Sequence, residues 1–395
     1  MINQIKKNIS NYSNNIFPHY SKSSKYKNRD KNSINSLIYH ALVCYHLNEI
    51  ERAKEITNKC INQISLKKCT TLNNNFQKHS DFYKDLHKIS LLTQLICSLN
   101  NNFESGQDFL KEVFNKDYYQ LISNDYLFIN KIRTLELTNS WHDSNIIMSM
   151  FSLRYAYCGG NKKDNGLNSC TKYLEEIQNI NTGFWHSKNG FGGNLNAMAG
   201  TYHYLPLFLS INKTIPRKNL IIESTFKLHT INGHFSLPKG HSCIDLDVFS
   251  IFYYCNLNTK NKLNKKIKYF SELFIDDLIN IINIDGGFSD FPCNYKTSEL
   301  NLILNTFLKQ FIKYGDIYTS LWNLKSIIRT LPIINSKLQI ISNSDILCSS
   351  FIRESNIFSC WFKLLTIDFA NNLKEGNTLV PLKSKYKLPF LGFGI

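Results

Sequence analysis

Three stretches of the chain share one pattern, and this pattern decides the fold. Residues 173–185 read YLEEIQNINTGFW, residues 222–235 read IESTFKLHTINGHF, and residues 278–288 read LINIINIDGGF. In each stretch a helical segment leads to a glycine and then to an aromatic residue. The glycines stand at positions 183, 233 and 286, so the steps between them are 50 and 53 residues. A period of this length indicates stacked or ring-forming repeats of one supersecondary unit.

The glycine and the aromatic residue have separate roles in the repeat. Glycine ends a helix readily because it adopts the left-handed conformation without a steric penalty. The aromatic residue then folds back against the neighbouring unit. A second apolar helix follows each turn, over residues 197–210, 244–255 and 300–311. A helical hairpin buries only part of its apolar surface on its own, so the hairpins must pack on one another.

Apolar residues at helical spacing continue outside the repeat. A hairpin of two helices is predicted between Ile38 and Ile64. Eleven more helices are predicted at residues 80–99, 118–137, 144–157, 169–180, 197–211, 218–230, 246–256, 267–283, 299–313, 318–331 and 356–372. We therefore predict an all-α fold, an (α/α)6 toroid in which six hairpins form a ring, as a single domain over residues 34–395. Residues 1–33, rich in Asn, Ser and Lys, are predicted to be a polar, poorly ordered leader.

The composition excludes several classes of protein. Hydrophobic residues make up 43% of the chain, which excludes global disorder. The net charge of +16 favours polyanions, but the lysines are spread over the sequence and no Arg-rich helix occurs, so no nucleic-acid partner is expected. Eleven cysteines without a CxxC pair indicate free thiols in a reducing compartment. No apolar run approaches the roughly 20 residues of a membrane helix, and a cytoplasmic protein is expected.

The repeats resemble those of the terpenoid cyclases and the protein prenyltransferase β subunits, which share an α/α toroid. The glycine–aromatic turns are similar to degenerate Gln-Trp repeats of that superfamily, and the first retains both Gln178 and Trp185. Residues 243–250, CIDLDVFS, resemble the Asp-x-Asp-Asp segment of class II cyclases. The chain also resembles a little-characterised bacterial branch of toroid proteins, through segments 141–145, 200–203, 359–362 and 388–394.

The resemblance implies a terpene cyclase-like enzyme that protonates an isoprenoid substrate in the central cavity of the toroid. Asp247 would donate the proton, and Asp245 would supply a second charge that keeps the Asp247 carboxyl neutral. Val248 stands where the cyclase motif has another Asp, and no pattern matches the zinc triad of the prenyltransferases. A diphosphate substrate would bring Mg²⁺ as a cofactor. Peripheral contact with a membrane is a further expectation.

Further candidate residues follow from the toroid. Its inner helices end at one mouth, so Asp143, His203, Asp245 and Asp247 are expected to meet there, as an acid–base cluster or as ligands of a divalent ion. No metal-ligand spacing accompanies them. The residues expected to bind substrate are Trp141, Asp143, Asn145, Tyr202, His203, Phe249 and Trp361.

The same residues also allow plainer interpretations. Asp245 and Asp247 suit the capping position of a helix, and Asp276 and Asp277 are expected on the wet face of a helix, with no role. Two other functions stay open. One is a carbohydrate-active toroid enzyme, with carboxylates about 5 to 10 Å apart in a polar cavity. The other is a non-catalytic binding protein. Dry, aromatic surroundings of the acid would favour the isoprenoid function.

Overall fold

The computed structural model describes residues 1–16, 34–66, 79–186, 193–230, 232–235, 241–256, 263–282, 287–288, 304–324, 340–341, 350–351 and 357–376. The third repeat glycine, Gly286, and the motif at 388–394 lie outside these residues.

The described part of the chain is helical almost throughout. Its α-helices are α1 (Ile2–Ile16), α2 (Ile34–His46), α3 (Ile50–Leu66), α4 (His79–Asn100), α5 (Glu104–Val113), α6 (Lys116–Ser123), α7 (Asp125–Arg133), α8 (Ser140–Tyr157), α9 (Asn165–Ile177), α10 (Gly193–Ser210), α11 (Lys218–Lys227), α12 (Ser242–Asn256), α13 (Leu263–Ile281) and α14 (Ile357–Glu375). Two shorter helical stretches lie at 304–313, which ends in the π-helical turn Lys309–Lys313, and at 317–324. Ile340–Ile341 pairs with Ser350–Phe351 as two short antiparallel strands. The prediction of an all-α protein is confirmed.

One predicted helix is in fact two. The segment 118–137 divides into α6 and α7, with Asn124 between them. The Asn124 side chain accepts a hydrogen bond from the backbone N–H of Leu127 and so caps α7. Apolar spacing alone does not reveal this break, because the two helices bury faces of similar spacing.

The chain divides into two compact units. Among the described residues, unit 1 contains 1–53, 193–195 and 222–376, and unit 2 contains 54–186 and 196–221. In unit 1, α12 and α13 pack against α14, which also packs against α2. In unit 2, α4 packs against α5 and α8. A single domain over residues 34–395 stays a prediction.

The start of the chain differs from the predicted leader. Residues Ile2–Ile16 form α1, in which Ile5 and Ile9 are buried. Lys6 pairs with Asp368 of α14 at 2.6 Å. The prediction of poor order is therefore wrong for this segment, because its polar composition conceals apolar residues at helical spacing. The rest of the predicted leader lies outside the described residues.

Helices that are buried on all sides alternate with helices that bury one face. In α12 nearly every residue is buried, and in α8 every residue from Ile146 to Ala156 is buried. In α9, which follows α8, burial is confined to one stripe: Gly166, Leu167, Cys170, Thr171 and Leu174. A fold of stacked helical hairpins requires this alternation, since one helix of each hairpin faces neighbours on every side and the other faces solvent.

The repeated glycine turns have the predicted conformation. Gly183 and Gly233 have φ values of 74° and 79°. A Cβ atom on Gly183 would lie 3.0 Å from the backbone nitrogen of Ile221 in α11, and one on Gly233 would lie 2.6 Å from that of Phe274 in α13. Each turn therefore packs directly on the helix that leads to the next turn. This contact explains why the repeat has a nearly constant length.

The aromatic residue two places after each glycine is buried. Trp185, Phe235 and Phe288 are each at most 1% exposed. The indole N–H of Trp185 donates to the carbonyl of Leu174 (2.6 Å), and the Gln178 side chain donates to the carbonyl of Gly183 (2.8 Å). The Gln-Trp pair thus ties the first turn to the helix that precedes it.

Substitution of Gly233 tests the packing of these turns. Gly233→Ala places a methyl group against the α13 backbone at a residue that also requires a positive φ. We expect the free energy of unfolding to fall by about 3 kcal/mol or more. Gly315→Ala is the matched control, because Gly315 has a φ of 62° and its added Cβ would meet no atom within 4 Å. It should lose only about 1 to 2 kcal/mol. Urea denaturation measures both, and equal losses would contradict the close packing of Gly233.

Candidate active site

Helix α12 carries both predicted acids, and it begins earlier than the sequence indicated. The backbone N–H of Asp245 donates to the carbonyl of His241 (3.0 Å), so Asp245 lies inside the first turn and Asp247 in the second. Neither acid occupies the capping position, and their interpretation as helix caps is wrong. Asp245 is 0% exposed and Asp247 is 1% exposed. Their burial therefore needs another explanation.

Two cations meet the Asp245 carboxylate. Its Oδ2 atom lies 3.0 Å from His234 Nδ1 and accepts a hydrogen bond from Lys363 Nζ at 2.5 Å. His234 belongs to the glycine turn after α11, and Lys363 belongs to α14. All three side chains are fully buried. An ion pair this far from water must find all its partners within the protein.

A second carboxylate faces the other ring nitrogen of His234. Nε2 lies 3.1 Å from Asp277 Oδ2, and Asn280 donates to Asp277 Oδ1 (2.8 Å). Asp277 lies on the buried side of α13, whereas its neighbour Asp276 is exposed. The prediction that both acids lie on a wet face is confirmed for Asp276 and wrong for Asp277.

Neighbouring charges and hydrogen bonds determine the pKa values of His234 and Asp245. Burial alone would lower the pKa of His234, but the Asp245 charge and hydrogen bonds to Asp245 and Asp277 raise it above its ordinary value. Burial alone would raise the pKa of Asp245, but Lys363 and His234 outweigh burial and lower this pKa to about 2. An imidazolium can donate from both nitrogens, as this geometry requires. Two cations thus balance two carboxylates.

Asp247 differs from Asp245 in its surroundings. Its Oδ2 atom is buried and, like Asp245 Oδ1, has no hydrogen-bond partner among the described residues, but no described cation pairs with Asp247. Burial, and to a smaller extent repulsion by the Asp245 charge, raises the pKa of Asp247 well above its ordinary value. Asp245 and Asp247, two residues apart on one helix, therefore have pKa values shifted in opposite directions. Environments that shift the pKa values of two neighbouring acids in opposite directions are typical of sites for acid catalysis.

Aromatic side chains enclose the charged cluster. The ring of Phe274 lies 5.3 Å from the ring of His234 and 5.4 Å from Lys363 Nζ. Phe249 packs against Phe274, with ring centroids 4.6 Å apart. Both phenylalanines are fully buried. These distances suit aromatic and cation–π contacts, so the acids lie in dry surroundings.

The two predicted binding residues in unit 1 have different positions. Phe249 belongs to this aromatic wall. Trp361 lies between α14 and α2, where its ring is 5.6 Å from Tyr39 and 5.0 Å from Phe362. Trp361 is therefore a core residue, and its contact with substrate stays a prediction.

The start of α8 in unit 2 holds three more of the predicted residues. Asn139 caps this helix, because its side chain accepts a hydrogen bond from the backbone N–H of His142 (3.3 Å). Asp143 lies 3.4 Å from His142 Nδ1. Asn145 donates to the backbone carbonyl of Trp141 (2.9 Å). The side chains of Asn139 and Asn145 thus hold the beginning of α8.

His203 and Tyr202 lie beside α8 in the same unit. His203 Nδ1 is 2.7 Å from the Ser144 hydroxyl, and burial lowers the pKa of His203 to about 3, so the imidazole is neutral. The Tyr202 ring lies 5.1 Å from that of His203. Gly200 permits this approach, because a Cβ there would lie 2.6 Å from the carbonyl oxygen of Ser140.

The predicted cluster of four residues is thus shared between two units. Asp143 and His203 belong to unit 2, whereas Asp245 and Asp247 belong to unit 1. Their meeting at one mouth stays a prediction.

Sequence reasoning missed His234, Asp277 and Lys363, although each had a signal. His234 follows the repeat glycine where the first repeat has Phe184, so a titratable group replaces an apolar one. Asp277 lies three residues after Phe274, on the apolar stripe of α13. Lys363 interrupts the apolar run CWFKLL, and a charge in a helix of this kind requires a buried partner.

Among the described residues, no group of three or more His, Cys, Asp or Glu side chains is arranged to hold a metal ion. The cluster at Asp245 contains the Lys363 cation, which competes with a metal for the same oxygen. The residues present therefore do not fit a Mg²⁺ site. Within the described ranges, every helix is too short or too polar to cross a bilayer.

The neighbours Asp276 and Asp277 provide a matched test of the network. Asp277→Asn removes one of the two anions that face His234, so we expect the free energy of unfolding to fall by about 2 to 4 kcal/mol. Asp276→Asn alters an exposed side chain and should change stability by less than about 0.5 kcal/mol. Chemical denaturation at neutral pH compares them. Similar effects of the two substitutions would show that Asp277 does not hold His234.

No protein-family model, curated protein or solved structure gives a significant match to this chain. The geometry of the site is therefore the basis for assigning a function.

Proposed function

We propose that this chain is a terpene cyclase-like enzyme that starts the cyclisation of an isoprenoid by protonating a carbon–carbon double bond. The observation that carries the proposal is the environment of Asp247, a buried carboxyl group whose pKa is raised well above its ordinary value and whose Oδ2 atom has no hydrogen-bond partner among the described residues. A general acid must keep its proton at working pH until the substrate accepts it. Asp247 meets this requirement, and its neighbour Asp245 does not.

The proposed step is a single proton transfer. The O–H bond of Asp247 breaks, and one alkene carbon forms a C–H bond with the π electrons. The other alkene carbon becomes a carbocation, which a second double bond of the substrate attacks to close a ring. Loss of a proton from the final cation ends the reaction. Asp247 is left as a carboxylate and regains a proton before the next turnover.

The surrounding groups support this step without reacting. Lys363 and His234 keep Asp245 ionised, and the Asp245 charge disfavours ionisation of Asp247. The same repulsion favours reprotonation after the transfer. An aromatic ring whose face lay beside the carbocation would stabilise it by about 0.5 to 2 kcal/mol. Asp245, His234 and Lys363 are thus positioning residues in this proposal.

The architecture that suits this chemistry is the (α/α)6 toroid, which we include in the proposal. Its support is the alternation of fully buried and one-sided helices and the packing of each glycine turn on the next repeat. Contact of Trp141, Asp143, Asn145, Tyr202 and His203 with the substrate stays a prediction.

The two alternatives gain no support from the site. A glycosidase needs two carboxylates that face a polar cavity, whereas Asp245 and Asp277 both bind His234 beside buried aromatic rings. A non-catalytic binding protein would be favoured if side chains filled the central hole and if Asp247 were only a helix cap, and Asp247 lies in the second turn instead.

Asp247→Asn tests the acid directly. The purified chain is incubated with prenyl diphosphates of several lengths, and extracts are analysed for cyclised products by gas chromatography and mass spectrometry. We expect the substitution to reduce turnover by about 100- to 10,000-fold, because an amide cannot supply the proton. Asp276→Asn is the control and should retain full turnover. Unchanged turnover in Asp247→Asn would end the acid assignment, and no product from the unaltered chain with any substrate would end the isoprenoid assignment.

The opposite pKa shifts of the two acids predict opposite effects on stability. Asp245 has a folded pKa of about 2, so it stabilises the fold above its unfolded pKa of about 3.9, and this contribution is lost as the pH falls. Asp247 has a raised folded pKa, so it favours the fold most below about pH 4 and least as the pH rises. At pH 7, Asp245→Asn should lower the melting temperature, while Asp247→Asn should raise it.

Thermal denaturation from about pH 3 to about pH 8 measures both effects. The gain from Asp247→Asn should disappear near pH 3, where Asp247 is protonated in the folded and unfolded chains alike. The loss from Asp245→Asn should correspond to about 3 to 5 kcal/mol at pH 7, since two buried cations lose a partner. A lower melting temperature for Asp247→Asn at pH 7 would mean that Asp247 is an ionised, paired carboxylate.

A further inference from the structure

The polarity of segment 304–324 in unit 1 is reversed. Its buried residues are all polar: Thr306, Gln310, Asp316, Thr319, Ser320 and Asn323. Large apolar side chains point outward instead, with exposed fractions between 40% and 73% for Leu308, Phe311, Ile312, Ile317, Tyr318 and Leu321. A helix on the surface of a globular protein has the opposite arrangement. The outward residues of this segment are called the apolar face here.

Three of the inward polar residues, Gln310, Asp316 and Thr319, bind the ends of other helices. Asp316 Oδ2 accepts a hydrogen bond from the backbone N–H of Asn194 (3.1 Å), and Thr319 Oγ1 accepts one from the next backbone N–H (3.0 Å). These first-turn amides of α10 have no partner within their own helix. Gln310 donates to the carbonyl of Lys227, the last residue of α11 (2.6 Å). The apolar face cannot turn inward unless these bonds break.

Positive charge accompanies the apolar face. The ammonium groups of Lys309 and Lys313 both lie 5.7 Å from the ring centre of Tyr314. Burial and the nearby charges of Lys313 and Lys266 lower the pKa of Lys309, which shows that the cations are crowded. Segment 304–324 has one acid, Asp316, and it is buried against α10. The exposed Lys313 and the half-buried Lys309 therefore lie beside the apolar face, and the segment has no exposed acid.

We propose that the apolar face of segment 304–324 binds the surface of an anionic lipid bilayer. Short helices with aliphatic and aromatic residues on one side and lysines beside them lie in the headgroup region of membranes. A second copy of this chain suits the face less well, because two such faces would bring four lysines together with no outward carboxylate from either segment. The proposal is independent of the catalytic function proposed above, although an isoprenoid would also dissolve in the bilayer.

Co-sedimentation with vesicles tests the apolar part of the surface. We expect the full chain to bind vesicles of phosphatidylcholine with phosphatidylglycerol, and to bind them less in high salt than in low salt. Ile312→Asp should reduce the partition coefficient by about tenfold or more, because it removes an apolar side chain and adds a like charge. Ile180→Asp is the matched control, since Ile180 lies in unit 2 and is 71% exposed, against 73% for Ile312. It should bind as the unaltered chain does.

Lysine substitutions test the electrostatic part. Lys309→Gln combined with Lys313→Gln should weaken binding to the anionic vesicles by roughly fivefold per lysine. Lys116→Gln combined with Lys172→Gln removes two exposed charges from unit 2 and should have a much smaller effect. Vesicles of pure phosphatidylcholine should show little difference between the two double variants.

Three results would overturn the proposal. The first is no binding to anionic vesicles. The second is an equal loss of binding in Ile312→Asp and Ile180→Asp. The third is a dimer of the unaltered chain, measured by sedimentation velocity, that the Ile312→Asp substitution dissociates, combined with no binding to vesicles. That result would show that the apolar face binds a second copy of the chain. Unchanged circular dichroism and melting temperature of Ile312→Asp confirm that the variant is folded.

Discussion

A negative charge at Asp245 that has no access to water is the constraint on which unit 1 depends. Helix α12 is buried along nearly its whole length, so the charge cannot be solvated and must be neutralised by groups from other elements. Those groups come from the turn after α11 and from α14, and the histidine requires a further carboxylate from α13. Because a buried ion without partners is strongly destabilising, one carboxylate fixes the positions of four segments.

The same charge gives its neighbour a different chemistry. Asp247 shares the helix and the burial of Asp245, but no described cation pairs with it, so burial raises its pKa instead of lowering it. The aromatic rings of Phe249 and Phe274 lie beside the ion pairs of Asp245 and keep water from them.

Features that depend on residues close in the sequence, such as helices and turns, could be predicted. Contacts between residues far apart in the sequence could not. Helical spacing and the freedom of glycine act over a few positions, so the turns at Gly183 and Gly233 could be predicted. The partners of Asp245 come from three other elements, and the resemblance to cyclases pointed only to the acids. The start of α12 was placed too late because its first turn contains polar residues, and this error made helix capping plausible. The inward polar and outward apolar residues of segment 304–324 were not predicted, because Asp316 accepts a hydrogen bond from a backbone N–H that is 122 positions away in the chain.

The residue immediately after the repeat glycine differs from one repeat to the next. Phe184 and His234 occupy it in successive repeats, while the glycine and the following aromatic residue keep the turn in the same place. The turn thus keeps the same backbone conformation while the side chain at this position differs. A fold assembled from such units can acquire a buried titratable group by one substitution at this position, provided that a carboxylate already faces it. Repetition of this kind gives the interior of a helical protein several equivalent places where new chemistry can arise without a new architecture.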